Sequence, residues 1–148
     1  MVDYLLDQGY ENISVLDISA NALARAKKRL GEKAEKVTWI EDNITVFEPK
    51  EKYDIWHDRA VFHSLTTVDD IKAHQRLVAQ AVNKYMIIGT FSINGLIKCS
   101  GLEIKQNDES SLVNTFGKKF NKIECFTENH TTPFYTTQNF IFCTFAKK

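Results

Sequence analysis

The sequence predicts an α/β fold, a sheet with helices on its faces. Two observations carry that prediction. Short apolar runs alternate with amphipathic stretches along the whole chain. Three of the apolar runs are closed by polar residues: ISVL by Asp17, VTWI by Glu41-Asp42-Asn43 and YDIW by His57-Asp58-Arg59. Nothing competes with this pattern: there is no internal repeat, linker or low-complexity stretch, and two prolines and six glycines leave little room for long unstructured segments. A chain of 148 residues suits one domain, residues 1–148, with one core.

The elements follow in order. Val2 to Gln8 reads as a helix tail that Gly9 ends. Ile13 to Leu16 is a short buried strand. Ser19 or Asn21 can cap the next helix, which runs to Leu30 and stops at Gly31. Leu23, Ala26 and Leu30 share one face of it, while Arg25, Lys28 and Arg29 lie largely on the other. Val37 to Ile40 and Tyr53 to Trp56 are further strands. A helix covers Val68 to Val82, with Ile71, Leu77, Val78 and Ala81 inward and His74 at the surface. The unbroken apolar run Tyr85 to Phe91 reads as a fully buried strand. After a polar loop, Ser111 to Phe120 is a short helix, and strands around Lys122 to Phe126 and Asn139 to Phe145 close the chain.

Composition excludes several classes. Nineteen basic and nineteen acidic side chains give a formal net charge of zero, so there is no broad positive field for nucleic acid. No apolar run approaches the ~20 residues of a membrane span. The N-terminal MVDYLLDQGY carries acids and no early basic cluster, unlike a secretory signal. The three cysteines form no CxxC pair. They read as reduced thiols of a cytoplasmic protein rather than a disulfide framework, with Cys125 and Cys143 as small core residues.

Ligands of open α/β sheets bind at the carboxyl ends of strands, which focuses attention on three clusters. Asp17 can accept two hydrogen bonds from vicinal ribose hydroxyls, or merely start the helix after it. Asp42 and Asn43 can serve an adenine amino group and ring nitrogen, but alone they read as a turn. His57, Asp58 and His63 invite a metal reading, yet no further ligand stands at a recognisable spacing, so no metal is expected.

Taken together, the series ISVLDIS, helix, VTWIEDN, YDIWHDRAVFHSL, helix and YMIIGTF resembles the class I S-adenosylmethionine-dependent methyltransferase family over nearly the whole chain. YDIWHDRAVFHSLT is similar to that family's fourth motif, and CSGLEI with HTTPFYTTQNFIFCTF to the closing region of one branch. The resemblance implies a Rossmann-like doubly wound sheet of order 3-2-1-4-5-7-6, its last strand antiparallel. It implies S-adenosylmethionine as cofactor, with Asp17 on the ribose and Ile18 against the adenine. Asp42, Asn43 and Ile44 would line the adenine pocket, and the His57 backbone would lie beside the methionine part. His57, Asp58 and His63 would then be the catalytic candidates. Arg59 would face the methyl acceptor, a small molecule or a protein side chain, or else merely pair with Asp58. His130 and Gln138, by the turn from Asn129 to Thr137, are polar groups placed for acceptor contact, His130 equally for a solvated turn.

The expected pattern departs at the front. The family's first strand and GxGxG loop should precede Val2, and no glycines in the sequence replace that loop. The chain therefore reads as an N-terminally truncated methyltransferase of impaired activity, with exposed strand edges through which copies could associate. Two rivals are a non-catalytic methyltransferase remnant that binds a partner, and a nicotinamide-dependent oxidoreductase. HDRAVFH and the lack of a Tyr-x-x-x-Lys pair weigh against the second.

Overall fold

The computed structural model describes residues 1–132 and 135–148; Pro133 and Phe134, within the expected turn from Asn129 to Thr137, lie outside the described residues. It forms two compact units, Met1–Phe47 and Glu48–Lys148.

In the first unit, α1 (Val2–Asp7) ends near Gly9, whose φ of +80° is open to glycine at little cost. β1 (Ile13–Asp17) and β2 (Val37–Glu41) pair in parallel, Asp17 opposite Glu41. Between them runs α2 (Ala20–Leu30), capped by the Ser19 side chain, which accepts from the Ala22 N–H. Leu23 and Leu30 are its buried residues, as the spacing predicts. Gly31 ends α2 at φ +56°.

The second unit is a four-stranded sheet of order β3-β4-β8-β7. β3 (Tyr53–Arg59) lies parallel to β4 (Val82–Phe91), and α3 (Val68–Ala81) makes the crossover between them. A two-residue hairpin, β5 (Lys98–Cys99) with β6 (Leu102–Glu103), sits in the loop after β4. α4 (Glu109–Phe116) precedes the long antiparallel pair β7 (Phe120–Thr131) and β8 (Thr137–Lys147). β8 runs antiparallel to β4. Within this unit the last strand is antiparallel, as expected, and among the described residues no strand pairs with the free edge of β1 or of β3. No helix is long and apolar enough to cross a membrane.

The core of this unit is built from one face of α3 (Leu77, Val78, Ala81), the β4 residues Met86, Ile88 and Phe91, and Leu112, Phe116, Phe120 and Phe145. Each apolar side chain of this size contributes about 1.5–3 kcal/mol on full burial.

Four expectations need correcting. The last helix stops at Phe116, because Gly117 closes it and Phe120 already begins β7. The run Tyr85 to Phe91 is not buried throughout: Tyr85 is exposed and Ile87 half-buried, and the strand begins earlier, at Val82. His74 is no surface residue but fully buried, at helix spacing with Leu77, Val78 and Ala81. Finally, Cys125 and Cys143 are not two reduced core thiols; they form a disulfide between β7 and β8, and Cys125 is only half-buried.

Candidate functional site

In the first unit the polar groups sit where β1 and β2 end. The Asp42 N–H donates to the Asp17 carbonyl at 3.3 Å, which brings the two strand ends side by side. Asp17 is half-buried, and its Oδ1 accepts from the Ser19 N–H at 2.8 Å. The carboxylate thus helps start α2, and its second oxygen makes no hydrogen bond among the described residues. Ile18 is 68% exposed, an apolar side chain held in water directly beside that oxygen's strand end. Asp42 Oδ1 accepts from the Asn43 N–H at 2.7 Å, and Asn43 Oδ1 accepts from the Thr45 N–H and hydroxyl. Both the turn and an outward-facing carboxylate coexist here. Ile44 is half-buried behind them.

In the second unit the strand runs on through His57, Asp58 and Arg59 rather than stopping before them. The chain leaves β3 through Ala60 at φ +67°. That left-handed conformation costs an L-residue about 1–2 kcal/mol and needs a reason to persist. The reason is Asp58. Its side chain turns inward, and Oδ1 accepts from the Val61 and Phe62 N–H groups at 3.3 Å each. Its Oδ2 meets His74 Nε2 at 2.9 Å, a pair with side-chain exposures of 0% and 2%. Asp58 is thus committed to holding the short 3₁₀ turn Phe62–Ser64. That turn carries His63, buried against the Phe91 ring with centroids 4.6 Å apart.

Burial pushes the His63 pKa below the usual 6.5, with the Asp58 charge opposing. His57 shifts the same way for the same reason, although its side chain is more open to solvent: protein around the ring displaces part of its hydration, and Asp58 again opposes. Both imidazoles are therefore neutral acceptors at neutral pH.

The acceptor-side residues converge on two rings. Phe91 and Phe140 face each other across β4 and β8 and stack with centroids 4.5 Å apart. The Arg59 guanidinium lies over Phe140 at 6.0 Å. His130 meets the same ring edge-on at 6.4 Å and pairs with Gln138 across the ladder. So His63, Arg59, His130 and Gln138, drawn from both ends of the second unit's sequence, share one aromatic seam. Sequence reasoning missed Phe91 and Phe140 as its hub. Their places in apolar strand segments marked them as core and nothing more. Ser92 and Asn139 close the seam by a side-chain hydrogen bond.

No protein-family model matches the chain, nor does any curated protein. Solved structures do. One is the N-methyltransferase NodS from Bradyrhizobium japonicum WM9, 12% identical, TM-score 0.72, covering 90% of this chain and 72% of its own. A methyltransferase from Methanosarcina mazei is 13% identical with TM-score 0.76, over 99% of this chain and 86% of its own. The 1,6-didemethyltoxoflavin-N1-methyltransferase from Burkholderia thailandensis, solved with its substrate and S-adenosylhomocysteine, is 15% identical with TM-score 0.73. That match covers 99% of this chain and 65% of the enzyme's length. The chain has the class I S-adenosylmethionine-dependent methyltransferase fold.

Proposed function

We propose that the chain is a methyltransferase domain that uses S-adenosylmethionine, with a small-molecule or protein methyl acceptor. The observation that carries this reading is the pair of strand ends at Asp17 and Asp42 within a fold whose solved examples bind that cofactor. Asp17 has one carboxylate oxygen occupied by Ser19 and one left for a ribose hydroxyl. Ile18 offers an exposed apolar surface to the adenine, and Asp42, Asn43 and Ile44 line its edge. The bound cofactor would supply a methyl group activated by its own sulfonium charge.

What this chain's residues add is positioning and proton handling. His57, neutral and partly open, takes the acceptor's proton. His63, the second neutral imidazole of this unit, is buried against Phe91. Asp58 acts through the turn it holds. Arg59, with His130 and Gln138, orients the acceptor.

These 148 residues hold no GxGxG loop, so affinity should be millimolar or weaker. NMR titration sees binding that weak. S-adenosylmethionine is expected to shift the resonances of residues 17, 18 and 42–44. Shifts with NAD instead would favour an oxidoreductase, and shifts with neither a non-catalytic binding module. A micromolar dissociation constant would show that another segment does the loop's work. Among the described residues β1 and β3 each keep one unpaired edge, which supports self-association that sedimentation across a concentration series would detect.

A further inference from the structure

Cys125 and Cys143 face each other in register in the β7–β8 ladder, with Cα atoms 4.2 Å apart. Their neighbours pair as well, Glu124 with Thr144 and Phe126 with Phe142. A separation near 4.5 Å is that of the closely spaced pairs of any antiparallel ladder. The ladder itself therefore brings the two sulfurs together, whether or not they are bonded. Opening the bond leaves them as neighbours, so closing it again is intramolecular.

The two sulfurs differ in access. Cys143 is fully buried, 0% exposed, between Ile141 and Phe145 on the core side of β8. Cys125 is half-buried and lines a cleft of about 380 Å³ with Ser92, Asn107, Asp108, Thr127 and Ile141. That volume lies in the range of small-molecule sites. Beyond Cys125, the β7 residues 126–131 are all exposed. The disulfide thus joins the buried β8 to the start of the exposed half of β7.

We propose that Cys125 is a thiol-exchange site for a low-molecular-weight thiol, with Cys143 as its resolving cysteine. The incoming thiolate bonds to Cys125 Sγ as the Sγ–Sγ bond breaks. The electron pair leaves on Cys143 Sγ, which takes up a proton. A second thiolate attacks the outer sulfur of the mixed disulfide, releases the Cys125 thiolate, and departs as the oxidised small-molecule disulfide. The protein disulfide is reduced to two thiols and two small thiols are oxidised to one disulfide. The reverse sequence, from a low-molecular-weight disulfide, restores the bond. Access decides which protein sulfur is attacked, and the cleft gives access to Cys125. With the bond open, β7 stays joined to β8 through the ladder and the Phe126–Phe142 stack, while β8 keeps its pairing with β4.

The test uses the full chain with Cys99→Ser, which removes the third thiol. Native protein is equilibrated in glutathione buffers of graded redox ratio, quenched by alkylation and read by mass spectrometry. Reversible conversion between disulfide and dithiol is expected with the circular dichroism of the fold retained. Brief exposure should place the glutathione adduct on Cys125, and Cys143→Ser should trap it there. Alkylation of Cys143 in Cys125→Ser should be at least tenfold slower than that of Cys125 in Cys143→Ser. Hydrogen exchange should quicken in 127–141 on reduction. A bond that yields only after unfolding, one that never forms under oxidising glutathione, or an adduct placed equally on both cysteines would each overturn the proposal. If the serine variants fail to fold, the adduct position in the Cys99→Ser protein decides it alone.

Discussion

Removing the His74 imidazole should be among the most destabilising single changes in the second unit. His74 is fully buried, and its Nε2 is 2.9 Å from an Asp58 carboxylate that is 2% exposed. Its ring also packs on Phe62 and Phe116, with centroids 5.3 and 5.9 Å away. His74→Ala deletes both the polar partner and the ring. Breaking one side of a buried pair costs about 3–5 kcal/mol, because the remaining carboxylate stays desolvated. The lost ring leaves a cavity, which adds to that cost. His74→Phe separates the two effects: it keeps a ring against Phe62 and Phe116 but leaves Asp58 unpaired, so most of the loss should remain. Asp58→Asn should cost less, since an amide oxygen still accepts from Val61 and Phe62 without carrying a charge. The double variant Asp58→Asn/His74→Phe should then be less destabilised than the sum, with coupling of about 1 kcal/mol or more. Urea unfolding followed by fluorescence reads this directly, because Trp56 lies in β3 beside Asp58. In a chain of this size 4 kcal/mol corresponds to a Tm lowered by roughly 10 °C. If His74→Phe unfolds within 0.5 kcal/mol of the parent, the pair is not what holds the turn, and the reasoning fails.

Three further outcomes are expected. Gly89→Ala places a Cβ 2.5 Å from the Phe142 ring, so it should cost about 1–3 kcal/mol in urea melts, and Phe142→Leu should recover part of that loss. The His63 pKa is lowered in the folded state, so the unfolded chain binds more protons below pH 6.5. Stability should be full above that pH and fall as pH drops through the folded pKa; a His63→Gln variant with an unchanged pH slope would remove His63 as the cause. Asp17→Ala should weaken S-adenosylmethionine binding about tenfold or more, from loss of charge-assisted hydrogen bonds of roughly 1.5–3 kcal/mol. Equal titration shifts in parent and variant would take Asp17 out of the cofactor site.

Periodicity and punctuation made much of the secondary structure legible. ISVL, VTWI and the run to Phe91 announced strands, Ser19 announced a helix start, and Gly9 and Gly31 announced helix ends. These are local facts, set by backbone sterics and by which side chains can leave water. The positions of the strand-end acids were legible for the same reason: Asp17 follows ISVL directly and Asp42 stands one residue beyond VTWI. His74 was half-legible: its neighbours Lys72, Gln75 and Arg76 made it look solvated, but its spacing to Leu77, Val78 and Ala81 put it on the buried face. What made the burial tolerable was Asp58, sixteen residues away, and no local pattern names that partner.

The sequence by itself determined the order and kind of the elements and the positions of the polar residues that close three strands. Only the tertiary structure decided what those residues touch. Asp58 turned inward to hold a turn, while Arg59, next in the chain, went out over Phe140. Side chains alternate across a strand, so one carboxylate and one guanidinium with the same local sequence meet opposite fates. The same holds for Cys125 and Cys143: their bond depends on the register of two strands, a long-range property fixed when the whole sheet pairs and its apolar face is buried.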